Sequence, residues 1–318
     1  MRAGIVVRDG CFGSGVSAML DILRTAEYVR PAIDPSIPAL TVEVVAPRKR
    51  VTASNGVIIP ATRSLTELGG LDVIVVPALG TLTGPDTEAS LDSRGGRAVV
   101  RALQGVDTGR VHLAAACTGV FALAETGLLE GRRATTTWFL APTFVARYPD
   151  VHVDLERMIV ADGPVLTAGA AFAHIDLALG LLQGVSAALT QQVARLLLLD
   201  ERPSQAAFVS YDLLEHDDEV VLAFERHVRA HLDQPFDAGG VATAIGTSRR
   251  TLERRTREVL GLSPLAIVQK LRLERAQHLR RTTELSTEAI ARRVGYANAE
   301  TLRSLERRAR DPRPLTSD

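Results

Sequence analysis

Four short apolar runs punctuate the first part of the chain, and strand-like runs stop altogether at Glu219. The four are "AGIVV" (Ala3–Val7), "LTVEVVAP" (Leu40–Pro47), "LDVIVVPA" (Leu71–Ala78) and "VHLAAAC" (Val111–Cys117). Runs this continuous suit strands covered on both faces, as in a parallel sheet, rather than strands with one wet face. Between them lie segments with helical spacing, "SGVSAMLDILRTAEYV" (Ser14–Val29) and "RGGRAVVRALQG" (Arg94–Gly105). "AHIDLALGLLQG" (Ala173–Gly184) closes the series. Strand–helix alternation predicts an α/β doubly wound, flavodoxin-like domain over residues 1–185. "VTASNGVIIP" (Val51–Pro60) adds an Asn-Gly hairpin signal.

The chain has 318 residues, 46% of them hydrophobic, enough for two domains of ordinary size. Its two cysteines, Cys11 and Cys117, are too few for a disulfide framework and form no metal-ligand pattern. No metal or cofactor is expected. Apolar stretches are strand-length or broken by charge, and "MRAGIVVRDG" is too short for a signal peptide. These features predict a cytoplasmic protein without a membrane span.

Charge is unevenly spread. From Gly246 to Arg310, sixteen Lys and Arg stand against seven Asp and Glu, a balance of +9 in a chain whose totals cancel at 37 each. A neutral chain with one basic end fits a nucleic-acid-binding module joined to something else; a solvated Arg-rich surface is the plain alternative.

Patterning narrows the choice. "FDAGGVATAIGTSRRTLERRTREVLG" (Phe236–Gly261) reads as helix, Gly-containing turn, helix, with Asp237 and Ser248 at N-cap positions. "LSTEAIARRVGYANAETLRSLERRAR" (Leu285–Arg310) repeats the design with Ser286 and Asn298, and one long amphipathic helix (Ser263–Thr283) joins the two. In each second helix the inward positions are apolar: Leu252 and Val259, then Leu302 and Leu305. The outward ones are Arg250, Glu253, Arg254 and Arg257, then Glu300, Arg303 and Arg307. Arginine reads guanine edges bidentately, glutamate accepts from cytosine, and neighbouring arginines hold phosphates. Two helical hairpins in a bundle are the competing reading, but turn, cap and basic face coincide twice.

Phe236–Arg310 resembles the AraC/XylS family of transcription regulators, on "TSRRTLERRTREVLGLSPLAIVQKLRLERAQHLRRTT" and "IARRVGYANAETLR". The resemblance implies an all-α double helix-turn-helix domain whose reading helices, Ser248–Leu260 and Asn298–Ala309, enter successive major-groove faces. Its DNA contacts would be Ser248, Arg249, Arg250, Glu253, Arg254, Arg257, Asn298, Glu300, Arg303 and Arg307. Three features depart from the family pattern. Thr256 stands where a Phe is usual, Gly239–Gly240 weaken the first support helix, and "DPRPLTSD" lacks the usual second Gly-x-Ser-Pro and final aromatic.

Cys117 ends an apolar strand and precedes "TGVFALAETGLL", the pattern of a nucleophile elbow, where a helix N-terminus and nearby N–H groups would lower its pKa. Residues 1–185 resemble the PfpI-like branch of the class I glutamine amidotransferase-like superfamily, on "CTGVFALAETGLLEGRRATTTW" and "TAGAAFAHIDLALGLL". Both resemblances in this order match the GlxA group of regulators. Catalytic relatives place a His before the Trp of the "TTTW" box, and many add a Glu after the first strand. Here Thr137 holds the His position, and the loop Asp9–Gly15 offers Asp9 but no Glu. His112 and His174 are weak replacements. The elbow is therefore degenerate, and no catalytic residue is assigned. A small-molecule pocket beyond the carboxyl ends of the strands would use Asp9, Cys11, Leu79, Gly80, Cys117, Thr118, Thr137 and Trp138.

The expectation is a DNA-binding transcription regulator. Residues 1–185 form its effector-sensing, homodimerising domain, 186–217 a helix and linker (the linker near Asp200–Asp218), and 218–312 the double helix-turn-helix domain. An amidase or related hydrolase tethered to DNA is the runner-up, and an interaction scaffold whose α/β domain only dimerises is the third reading.

Overall fold

The computed structural model describes residues 1–200, 202, 204–205, 216, 218–260 and 262–310, with backbone alone for 308–310. Most of the expected linker, Gly261 and the segment from Asp311 lie outside these residues. The chain splits into two compact units, Met1–Val209 and Ser210–Asp318.

In the first unit the strands are β1 (Arg2–Val6), β2 (Thr41–Ala46), β3 (Arg50–Thr52), β4 (Ile58–Pro60), β5 (Arg63–Ser64) and β6 (Val73–Val76). They continue with β7 (His112–Ala116), β8 (Arg133–Ala134), β9 (His152–Val153), β10 (Ile159–Asp162) and β11 (Val165–Ala168). Seven of them form one sheet, in the order β10-β11-β7-β6-β1-β2-β5. All its pairings are parallel except β10 with β11. β3 and β4 form the expected antiparallel pair around Asn55–Gly56.

The register explains the apolar runs. Val44, Ile5, Val75 and Ala114 lie side by side across the sheet and bury into one core. Their successors Val45, Val6, Val76 and Ala115 bury into a second core on the opposite face. The first core is covered by α1 (Gly13–Ile33), with α6 (Ala173–Gln183) and α7 (Ala187–Leu196). The second is covered by α2 (Gly84–Asp92), α3 (Arg94–Gln104), α4 (Gly119–Ala124) and α5 (Ala141–Arg147). Each fully buried Val, Leu or Ile stabilises this three-layer arrangement by about 1.5–3 kcal/mol, so both faces of every central strand must be apolar.

Side-chain caps set the helix starts. Ser93 Oγ accepts the Gly96 N–H at 3.0 Å ahead of α3, and Ser186 Oγ accepts the Leu189 N–H at 3.3 Å ahead of α7. The structure adds elements beyond the sequence reading, among them α2, α5 and the β10–β11 pair. α2 starts at a Thr83 cap with Pro at N1/N2. The β10–β11 hairpin turns at Asp162–Gly163, where Gly163 has φ +58°.

The regular elements among the second unit's described residues are all helices: α8 (Glu219–Ala230), α9 (Ala238–Ala244), α10 (Arg249–Leu260), α11 (Pro264–Thr282), α12 (Thr287–Arg293) and α13 (Ala299–Arg310). Asp237 accepts the N–H groups of Gly239 and Gly240 at 3.2 and 2.8 Å, which anchors the glycine-weakened α9. Ser286 caps α12 through Ala289 N–H at 3.2 Å. Gly246 and Gly295 turn each pair with φ +75° and +81°. Leu279, Ile290, Val294 and Leu302 form the core of the second pair. No helix among the described residues is long and apolar enough to cross a membrane.

Candidate functional site

On α10 the buried residues are Leu252, Thr256 and Leu260, leaving the opposite face to water. Thr256, at the position where an aromatic was expected, is fully buried, and its hydroxyl donates to the Leu252 carbonyl at 3.0 Å. Its polar group is thereby satisfied within the helix. Ser248, Arg249, Arg250, Arg254 and Arg257 are exposed. Glu253 is half-buried and accepts from Arg249 Nε at 2.8 Å. Arg254 pairs with Glu258 at 3.0 Å, while Arg250 has no ion pair among the described residues. Such exposed pairs are worth about 0.2–1 kcal/mol, so a phosphate or base edge can displace the glutamate.

On α13, Glu300, Arg303 and Arg307 are exposed and linked: Glu300 lies 2.9 Å from Arg307 and 3.8 Å from Arg303, which also reaches Glu288 at 3.6 Å. The two predicted contacts at the helix starts are already engaged. Ser248 Oγ accepts from Thr251 N–H at 3.1 Å, and Asn298 Oδ1 accepts from Thr301 N–H at 3.0 Å. Their side chains serve first as caps, and Asn298 keeps its amide donors for a partner. Arg255 escaped the sequence reading. It pairs with Glu258 at 3.1 Å and with Asp218, the side-chain cap of α8, so it joins two helices.

In the first unit Cys117 follows β7 with φ +55°, the left-handed backbone expected of an elbow. Its N–H donates to Ala168 O at 2.9 Å, and its carbonyl accepts from Thr136 Oγ1 at 3.0 Å, so both neighbouring segments clamp the turn. The expected lowering of its pKa is overturned. The thiol is buried and is pushed up to about 11 by desolvation, which outweighs the nearby Thr137 and Thr118 hydroxyls and the Thr118 N–H. α4 has six residues, too short a helix for its end to compensate.

No histidine is among the groups that act on the thiol within the described residues. Thr137 is fully buried with its hydroxyl beside the Cys117 sulfur, and its Oγ1 makes no other hydrogen bond among the described residues. His112 starts β7, a strand of five residues, and so sits about 16 Å along the backbone from the elbow end. His174 is fully buried; its Nε2 accepts the Ala78 N–H at 3.0 Å and its Nδ1 faces Ala171 O. Burial lowers its pKa to about 4, so it is a neutral structural acceptor.

The predicted pocket residues divide. Leu79, Cys117, Thr118 and Thr137 come together: Leu79 N–H donates to Thr118 Oγ1 at 2.8 Å, and both threonine hydroxyls lie by the sulfur. Trp138 adjoins them in sequence, nearly buried and edge-on to Phe139 at 5.5 Å between ring centres. Gly80 has φ +76°, and a Cβ there would collide with the Gly10 carbonyl and Ser54. The loops after β1 and β6 are thus shut against each other. Asp9 is not turned inward. It is exposed, paired with Arg48, and accepts from Thr52 N–H at 2.9 Å. Cys11 is buried beside Arg8, in a lining shared with Leu79 around a cavity of about 10 Å³, room for about one water. Sequence reading also missed Gln205, fully buried, whose Nε2 donates to Thr135 Oγ1 at 2.9 Å and Thr136 O at 3.1 Å.

The DJ-1/PfpI family model matches residues 1–184, and a helix-turn-helix domain model matches residues 241–314. The chain is 32% identical over 254 residues to the HTH-type transcriptional regulator CdhR of Pseudomonas aeruginosa, covering 77% of this chain and 71% of that one. It is also 34% identical over 154 residues to an isonitrile hydratase of Pseudomonas putida, covering 46% of this chain and 60% of that one. Among solved structures, Drosophila melanogaster DJ-1beta matches with a TM-score of 0.51 at 22% identity, over 63% of this chain and 98% of that one. That similarity speaks to the fold. The chain belongs to the DJ-1/PfpI family and carries, behind that family's α/β domain, an AraC-type helix-turn-helix domain.

Proposed function

We propose that this protein is a sequence-specific DNA-binding transcription regulator whose α/β domain senses a small molecule without catalysing a reaction. The observation that carries the reading is the pair of capped helix-turn-helix units. Each presents an exposed arginine-bearing helix, with Arg250, Arg254 and Arg257 on α10 and Arg303 and Arg307 on α13. The similarity to a regulator over both domains supports it.

The elbow supports sensing rather than hydrolysis. A thiol raised to about 11 is almost wholly protonated near neutrality, and no imidazole among the described residues lies where it would deprotonate it. The buried Thr137 hydroxyl, which has no hydrogen-bond partner among the described residues beyond the Cys117 thiol beside it, is the polar group we give to an effector. We assign the effector site to Asp9, Cys11, Leu79, Gly80, Cys117, Thr118, Thr137 and Trp138. A metabolite screen by thermal shift on the full chain tests this. A ligand at 100 times its Kd stabilises the fold by about 2.7 kcal/mol. The shift should disappear in Thr137→Val.

The left-handed backbone at Cys117 and the similarity to a hydratase favour the hydrolase alternative, and the raised thiol pKa opposes it. We further propose a cytoplasmic homodimer joined through the α/β domain, with domain limits of 1–185, 186–217 and 218–312. The exposed Leu196, Leu197 and Leu198 at the end of α7 support that contact.

A further inference from the structure

A single buried arginine touches both helix-turn-helix units from the helix between them. Arg272 lies midway along α11 and is 6% exposed. Its Nε donates to Leu232 O at 3.1 Å and its Nη2 to Gln234 O, and its guanidinium lies 5.0 Å from the centre of the Tyr296 ring. Leu232 and Gln234 precede Asp237, the cap that opens the first unit. Tyr296 follows Gly295, the turn of the second unit. Gly295 has φ +81°, and a Cβ there would stand 2.5 Å from Arg272 Nη2 and 2.6 Å from Leu232 O. The entrance to one unit and the turn of the other therefore press on the same guanidinium.

A buried cation with no carboxylate partner among the described residues is a poor way to gain stability. An apolar side chain of similar volume often does as well. What a planar fork adds is geometry, because its donors fix two carbonyls at set directions while its face rests on a ring. Within each unit, caps and a glycine turn already fix support helix against reader. They do not fix one unit against the other.

We propose that Arg272 is the positioning residue that holds the two reading helices at one separation, and so sets the spacing between the two blocks of bases the chain recognises. The proposal rests on the DNA-binding reading above. Arg272 itself touches no base; it acts through Leu232, Gln234 and the Gly295–Tyr296 turn.

The test is selection of binding sites from a random-sequence duplex library by the full-length chain, by Arg272→Met and by Arg272→Lys. Far-UV circular dichroism establishes that each is folded. The wild type should enrich two base blocks at one fixed spacing. Arg272→Met should enrich the same two blocks over two or more spacings, and bind the wild-type site about tenfold more weakly, because the second block loses its effective concentration. Arg272→Lys keeps the charge near Tyr296 but loses the fork, and should fall between the two. If the Met variant does not fold, the Lys variant carries the test. One unchanged spacing in the folded variant overturns the proposal, whether or not affinity falls, since general loosening weakens binding without changing spacing. If the wild type enriches no site, the DNA-binding reading fails and the proposal falls with it.

Discussion

His174 Nε2 accepts the backbone N–H of Ala78 at 3.0 Å, and the Phe12 ring packs near the same imidazole at 5.8 Å. One neutral side chain thus ties α6 to the loop after β6 and to the start of α1. Burial lowers its pKa from 6.5 to about 4, so the folded state favours the neutral imidazole. Between those values the unfolded chain binds a proton that the folded chain refuses. Stability should therefore be full above pH 6.5, fall as pH drops toward 4, and level off below it, for a total of a few kcal/mol. Urea titrations followed by Trp138 fluorescence measure this, Trp138 being the chain's one tryptophan and lying in the α/β unit. His174→Gln, which can still accept the Ala78 N–H, should lower the slope over that pH range. An unchanged slope in that variant means the proton linkage lies elsewhere.

The raised Cys117 pKa predicts an unreactive thiol. At pH 8 an aromatic disulfide reagent should label Cys117 far more slowly in the folded chain than in denaturant. The purified protein should release ammonia from simple amides and glutamine at rates indistinguishable from Cys117→Ser. Turnover that depends on Cys117 and exceeds roughly 1 per second would contradict the assignment of a non-catalytic domain.

How much of this was legible in the sequence varies by feature. The parallel strands were, because a strand buried on both faces leaves no polar alternation, as Val44–Val45 and Val75–Val76 show. The caps Asp237, Ser248, Ser286 and Asn298 were, because capping is local chemistry. The Cys117 pKa was misread, because desolvation depends on what the rest of the chain folds over the sulfur. Asp9 is read as a pocket contributor on loop position alone, and its exposed pairing with Arg48, 39 residues away, has no local signal. Arg272 looked like one more charge on an amphipathic helix. Its partners Leu232 and Gln234 are 40 and 38 residues distant, and they are backbone carbonyls, which no residue pattern marks. The α2 and β10–β11 signals, Thr83–Pro85 and Asp162–Gly163, were present and local but passed over.

The arginines of the reading helices should separate into two behaviours. Arg254→Ala or Arg303→Ala should change the base preferred at one position at a cost of about 1–3 kcal/mol there. Arg255 should differ, because it holds Asp218, whose side chain is nearly buried. Arg255→Ala should lower the melting temperature and weaken all DNA sequences alike. Site selection and thermal unfolding on the three variants distinguish the cases, and unchanged preference in both reader variants contradicts their placement.

The exposed leucines after α7 test the proposed dimer. Leu198 is 91% exposed, so Leu198→Asp should cost the monomer little stability. If the α/β domains meet there, light scattering should show the full-length variant at half the wild-type mass. A variant of unchanged mass, in a wild type that is dimeric, places the contact on another surface.

The central claim is that one chain reads a specific DNA sequence through two helices. Fluorescence anisotropy of the full-length protein, titrated onto a library-selected duplex and onto a scrambled duplex of equal composition across a salt series, tests it most directly. Binding to the selected duplex should be tighter by about a thousandfold or more, and affinity for both should fall linearly in log–log form as salt rises. Equal affinity for the two duplexes at every salt concentration would contradict it.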